Sequence, residues 1–571
     1  MTTQKIIHWL DENILLVLCG FLIAFIPLYP KIPLFSPIES YIVRVRMEDI
    51  FVFIAAVVWF VQYLRRKILI KDKLVVGFIA AYAFAGLLSI ISAVLITKTV
   101  PLEAIHLGKT LLHYFRYLEY FVLFFLTMSA IKSRQDFKVL LTVIVITVLG
   151  VSLYGFGQKY YYWPVYSTMN REFSKGIRLY LTEHARVQST FGGHYDLAAY
   201  LVIVLPLLLS ASYFTLKRRV AILLYLVFIF GSWLLIMSAS RTSFLAYLVG
   251  TALVTTIGAF IQKDWWSKFK WGLSRMSLLG IVVFILMANF GSDMYERFLQ
   301  VLEGYPAANQ MYHQANAQRK EYVQSSIVYL QDRGLFIPGL LPKAQKPTHG
   351  VEIDNNEGIA IVPSDQRPVT EKPDEKNRPS DVYVDVPEIV PVASTSASGS
   401  AIVVLTERER VFSECALNRG LSLCIRLETL WPKAIEGFKR NPLFGSGYAT
   451  LNKDTTYHFT EAESTDNNFL RTLGETGLFG FITFYGLVLV LCAYAYKLIK
   501  DRSGWGVILG IGFISATIGL LINAAYIDVF AASKVAFTYW ALAGILVSYY
   551  WLHHQPAKAK IASKPKKVRL K

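Results

Sequence analysis

K-R-R-V-A-I-L-L-Y-L-V-F-I-F-G-S-W-L-L-I-M-S-A-S-R-T-S-F-L-A-Y-L-V-G-T-A-L-V-T-T-I-G-A-F-I-Q-K, residues 217–263, decides the fold class of this chain. Two apolar runs, 220–238 and 242–262, are each long enough to cross a bilayer as a helix, and only a short turn with one cation, Arg241, separates them. Basic residues bracket the pair, with Lys217, Arg218 and Arg219 before it and Lys263 after it. This is the pattern of an antiparallel hairpin of spanning helices.

Working outward, further runs of this kind occur at 13–29, 49–64, 74–97, 110–131, 137–157, 195–214, 273–290, 474–496, 505–527 and 532–552, which gives about twelve in all. With 54% hydrophobic and only 17% charged residues, the composition excludes an ordinary soluble protein of 571 residues. The sequence therefore predicts an all-α polytopic membrane protein. Helices 1–9 occupy 1–290, a large loop 291–470, helices 10–12 residues 471–553, and a basic tail 554–571. Acidic Asp11 and Glu12 precede the first run and no small-residue cleavage site follows it, so it reads as a membrane helix rather than a signal. Residues 343–402 shift to Pro, Ser, Asp and Glu and read as a disordered insertion.

The net charge of +18 resides between the apolar runs and in the tail, which predicts anionic lipid headgroups as the partner and excludes nucleic acid. Lys and Arg cluster in every even-numbered connection, so the positive-inside rule predicts both termini in the cytoplasm. Residues 30–48, 98–109, 158–194, 239–241, 291–470 and 528–533 then face outward, and they hold nearly all the polar features that could be functional. Cys415 and Cys424 share the outer loop, either as a disulfide or as two free thiols.

Arg186, Arg241 and Arg426 come from three outer segments far apart in sequence. If they converge they suit a diphosphate, because a guanidinium binds phosphate oxygens with a planar fork and keeps its charge. Lys109, His113 and Arg116 recur at helical spacing in the fourth run, with Glu119 one turn further; an Arg116–Glu119 ion pair would leave Lys109 and His113 to hold a lipid phosphate. Asp466 and Glu463 precede the tenth helix, either as charges favoured at a helix N-terminus or as a base near an acceptor hydroxyl; Asn467 or Asn468 could share the capping role. Trp431 is a candidate surface for stacking a sugar. No Asp-x-Asp pair occurs on an outer segment, so the sequence predicts neither metal nor cofactor.

R-V-Q-S-T-F-G-G-H-Y-D-L-A-A-Y-L (186–201), S-A-S-R-T-S-F-L-A (238–246), R-L-E-T-L-W-P-K-A-I (426–435), N-P-L-F-G-S-G-Y (441–448) and D-N-N-F-L-R-T-L-G-E-T-G-L-F-G (466–480) together resemble, in order, the landmarks of the bacterial O-antigen ligase and O-antigen polymerase family. The resemblance implies a lipid-sugar-dependent (GT-C-like) transferase fold in the cytoplasmic membrane, a polyprenyl-diphosphate-linked glycan donor, and Arg186, Arg241 and Arg426 at the family's arginine positions. Asp466-Asn467 stands where ligases of the family have His-Asn, which leaves a saccharide or a lipid open as acceptor. The expected function is an inverting, metal-independent glycosyl transfer with Arg426 and Asp466 or Glu463 in the chemistry. The alternative is a transporter or exporter of lipid-linked saccharides, since about twelve helices is also a carrier's number.

Overall fold

The computed structural model describes residues 3–35, 44–68, 70, 72–169, 173–182, 185–302, 412–451, 464–502 and 504–554, with 314, 317–318, 321 and four strands in between. Nine long helices come first: α1 (Thr3–Leu28), α2 (Met47–Leu64), α3 (Lys73–Ile91, prolonged by a π-helical turn over Ser92–Ile96), α4 (Ala104–Ala130), α5 (Arg134–Tyr161), α6 (His194–Phe214), α7 (Arg218–Met237), α8 (Arg241–Phe260) and α9 (Trp265–Phe290). Short helices follow, α10 (Ser292–Leu302), α11 (Glu414–Arg419), α12 (Leu421–Ile425) and α13 (Trp431–Arg440), then the long α14 (Asn468–Lys500), α15 (Gly504–Ala524) and α16 (Ser533–His554). The architecture is that of an all-α polytopic membrane protein, and eleven of the described helices are long and apolar enough to cross a membrane.

The long helix outside those eleven is α4, whose N-terminal half carries Lys109, His113, Arg116 and Glu119. It nevertheless runs beside α16: the Tyr120 hydroxyl donates to the Ala531 carbonyl (3.0 Å), Thr127 Oγ1 to that of Ala541 (3.1 Å), and Ser548 Oγ to that of Ile131 (3.1 Å). Its polar half continues past the start of α16, towards the end of the bundle where the candidate site lies. All twelve apolar runs of the sequence thus fall on helices, eleven of them candidate membrane spans and the other α4.

Two ends are distinguishable. At one, Asp11 pairs with Arg65 and Lys67, Trp551 Nε1 donates to Asp72 (2.9 Å), Lys132 Nζ to the Glu12 carbonyl (2.8 Å), and His554 meets Asp501 (2.9 Å). The beginning of α1 and the end of α16 share this basic end, as an even number of passes requires. At the other, Lys534 Nζ donates to the carbonyls of Tyr29 (2.6 Å) and Thr190 (2.8 Å) and ties α16 to the end of α1. Helices α6, α15 and α16 form the buried centre, while rim helices expose large apolar side chains such as Phe53, Phe260 and Leu489, as a lipid-facing surface requires.

Within residues 343–402, expected from composition to be a disordered insertion, the structure describes short strands. Strand β1 (Pro33–Phe35) pairs antiparallel with β2 (Val45–Arg46) near α2, whereas β3 (Leu179–Leu181) takes β4 (Val351–Asp354) from the insertion as a parallel neighbour, Leu179 opposite Val351. Antiparallel β5 (Ile359–Ile361) follows, and β6 (Glu388–Thr395) forms a hairpin with β7 (Ala401–Arg408). The mean composition hides short runs rich in Ile and Val, which suit a pleated strand. The rest of the insertion, and the tail beyond His554, lie outside the described residues.

Candidate functional site

Two of the quoted motifs hold each other. Helix α14 breaks at Gly477 (φ +66°, ψ −167°), which frees backbone groups that N-P-L-F-G-S-G-Y then satisfies. Ser446 N and Gly447 N donate to the carbonyls of Gly474 (2.9 Å) and Glu475 (3.0 Å), and Leu478 N and Phe479 N donate back to those of Pro442 (2.8 Å) and Leu443 (3.1 Å). A Cβ on Gly477 would stand 2.4 Å from the Leu443 carbonyl carbon, and one on Gly445 (φ +74°) 2.4 Å from that of Glu475. Both positions thus need glycine for close approach as well as for φ. Ser89 Oγ donates to the Glu475 carbonyl (2.5 Å) and Ser92 Oγ to that of Gly445 (2.9 Å), so α3 joins the clamp.

The clamp fixes α13, and the π-helical turn ahead of α13 (Arg426–Leu430) presents Arg426. Arg426 Nη2 lies 2.8 Å from Asp466 Oδ2, and Nη1 donates to the Ser422 carbonyl (2.5 Å) and to Ser422 Oγ (2.8 Å). The guanidinium sits 5.6 Å over the Tyr526 ring, which Trp431 meets edge-on at 5.9 Å. Trp431 thus packs against Tyr526. Asp466 is not the helix cap: Asn467 Oδ1 accepts from Leu470 N (3.0 Å), and Asp466 adopts φ +52° one residue earlier with Oδ1 accepting from Ser464 Oγ (2.7 Å). Glu463 lies outside the described residues.

The segment 464–467 is shaped by a residue the sequence reading does not single out. Asp528, buried in the α15–α16 connection, accepts from Ser464 Oγ (2.8 Å), Thr465 N (2.8 Å), Asn467 N (3.1 Å) and Arg471 Nη1 (2.9 Å). A lone acid between two apolar helices was the available signal, the counterpart of the lone cation Arg241.

Arg186, Arg241 and Arg426 line one cavity of about 450 Å³ at the end opposite the basic loops, and Arg297 and Arg419 line it too. Arg186 Nη1 contacts His194 Nε2 and donates to the Tyr195 hydroxyl (3.3 Å), while Arg241 Nη1 donates to the Arg297 carbonyl (2.7 Å). The Cys415–Cys424 disulfide (Cα–Cα 5.9 Å) ties together the helix pair that brings Arg419 and Ser422 to the wall. Five guanidinium groups around one space create a strongly positive potential, suited to an anion with several oxygens.

Lys109 and His113 are not part of this wall. His113 lines a second cavity of about 240 Å³ with Lys31, Arg46, Arg116, Asp196 and Arg471. The expected Arg116–Glu119 pair is present (3.2 Å), and Arg116 also meets Asp49 (2.5 Å). Lys31 pairs with Glu48 (2.6 Å); burial draws its ammonium below the ordinary lysine value, and the Glu48 charge opposes that shift. Lys109 is buried on α4 one turn before His113.

No family model matches this chain, and neither does any curated protein sequence.

Proposed function

We propose that this protein is a membrane glycosyltransferase that moves a glycan from a polyprenyl diphosphate to an acceptor hydroxyl, of the O-antigen ligase or polysaccharide polymerase type. The carrying observation is the single cavity ringed by Arg186, Arg241, Arg297, Arg419 and Arg426. Basic loops gather at the opposite end of the bundle, which under the positive-inside rule supports an arginine cavity that opens outside the cytoplasm. Nucleotide-activated sugars are absent there, and a donor carried on a lipid diphosphate meets the requirement.

Bidentate guanidinium contacts would hold the diphosphate in the ground state and stabilise the charge that grows on it as the glycosyl bond breaks. One displacement by the acceptor inverts the anomeric centre. Asp466 has one carboxylate oxygen on Arg426 and the other on Ser464, an arrangement that aims the Arg426 fork. The carrier alternative calls for a polar site near the bilayer midplane. Arg241 instead begins α8 and Arg186 precedes α6, so this cavity lies at helix ends.

The test is reconstitution of the purified chain in liposomes with a polyprenyl-diphosphate-linked oligosaccharide and a saccharide acceptor. Transferred or polymerised glycan with release of polyprenyl diphosphate supports the reading. Movement of the intact lipid-linked saccharide across the bilayer, with no diphosphate released, refutes it.

A further inference from the structure

The first turn of α6 faces two cavities with consecutive side chains. Tyr195 lines the arginine cavity, and Asp196 lines the second, 240 Å³ cavity. Consecutive Cα atoms are about 3.8 Å apart, so these two side chains leave the helix one residue apart.

The second cavity has the lining of a site for a hydroxylated ligand: cationic donors from Lys31, Arg46 and Arg116, the His113 ring, and the aromatic faces of Tyr117 and Tyr120. Around it the other acids are committed. Glu48 meets Lys31 at 2.6 Å, Asp49 and Glu119 meet Arg116 at 2.5 and 3.2 Å, and Asp528 meets Arg471 at 2.9 Å. Among the described residues, no hydrogen-bond donor or cation stands within bonding distance of the Asp196 carboxylate. It is the acid left to accept a proton from whatever enters.

We infer that the second cavity takes the acceptor saccharide and that Asp196 is the base for its hydroxyl, an inference that rests on reading the arginine cavity as the donor diphosphate site. In the step, the acceptor oxygen attacks the anomeric carbon and forms the new C–O bond. The bond from that carbon to the phosphate oxygen breaks, and its electron pair leaves on the polyprenyl diphosphate among the arginines. The hydroxyl proton passes to Asp196. Asp466 is less suited, because its carboxylate is paired with Arg426 at 2.8 Å. Tyr195 on the donor side and Asp196 on the acceptor side give α6 the task of setting the approach of the two substrates.

The experiment compares the native full-length chain, Asp196→Asn and Asp196→Glu in the liposome assay, with donor binding measured separately by titration. Asp196→Asn keeps the size of the side chain and removes its basicity, so turnover should fall by about a hundredfold or more while donor affinity stays within about threefold. Transfer by Asp196→Asn within about threefold of native overturns the assignment. If that variant is not recovered folded, Asp196→Glu carries the test: moving the carboxylate by one methylene should cut turnover at least about tenfold with donor binding retained, and native turnover overturns the assignment. A native chain that neither binds nor consumes the donor refutes the reading of the arginine cavity itself. Normal donor binding with normal transfer by both variants refutes only the role of Asp196.

Discussion

Replacing Asp528 by Ala removes one carboxylate that serves four donors, and its cost can be worked from the structure without reference to the proposed reaction. Thr465 N and Asn467 N lose their acceptor in a buried setting, Ser464 Oγ loses one of its three contacts, and Arg471 loses its 2.9 Å partner. Breaking a buried ion pair by removing one partner costs about 3–5 kcal/mol, and each orphaned buried amide adds about 1–3 kcal/mol if nothing relaxes. Two features discount the sum. Arg471 keeps Glu475 at 3.3 Å, and the 464–467 segment can move to find water. The net expectation is a loss of about 3–5 kcal/mol, read as a clear drop in the thermal unfolding midpoint of the detergent-purified protein. Asp528→Asn, which keeps acceptor capacity on one oxygen, should lose less. A midpoint for Asp528→Ala within about one degree of native would refute the view that Asp528 organises this segment.

Arg426→Lys keeps a charge but cannot reproduce the fork that reaches Asp466 and Ser422 together, so donor affinity measured by titration should weaken about tenfold or more. Asp466→Asn should lower turnover only severalfold in the liposome assay, because the amide can still accept from Ser464; a hundredfold loss would make Asp466 itself the base. Gly477→Ala forces a Cβ against the Leu443 carbonyl at φ +66° and should destabilise by more than the about 1–3 kcal/mol of backbone strain alone, seen as a lower unfolding midpoint. Transfer should survive excess EDTA, and loss on chelation with recovery on adding Mg²⁺ or Mn²⁺ would defeat the assignment of charge neutralisation to arginine.

Much of the helical frame was legible because hydrocarbon allows only one kind of backbone for an isolated span, so long apolar runs translate directly into helices. The convergence of Arg186, Arg241 and Arg426 was legible for a related reason: cations placed at turns between apolar helices have few places to go. Arg297 and Arg419 escaped notice because they sit in the 291–470 loop, where periodicity does not dictate a path. Sequence order could not separate Asp466 from Asn467 as the helix cap, since the choice turns on one residue's φ of +52°. The second cavity was invisible for a different reason, being assembled from side chains on α4, α6, α14, the α1–α2 connection and the start of α16. His113 was legible on its helix face, but its neighbours in the second cavity come from elements that spacing along α4 does not reveal.

The polar half of α4 bears on how the chain is made. Each charged residue at the middle of a nascent span opposes its release into lipid by about 2.5–3.5 kcal/mol, and α4 carries Lys109, Arg116 and Glu119. The helix that runs beside it, α16, is synthesised some four hundred residues later, as the Thr127–Ala541 contact records (sequence separation 414). Until then α4 has α1, α2 and α3 as company, and Asp49 on α2 pairs with Arg116. Order of synthesis thus runs ahead of order of burial, and the Asp49–Arg116 pair joins two segments made early in the chain, so it offsets part of the cost of the α4 charges before the last neighbour arrives.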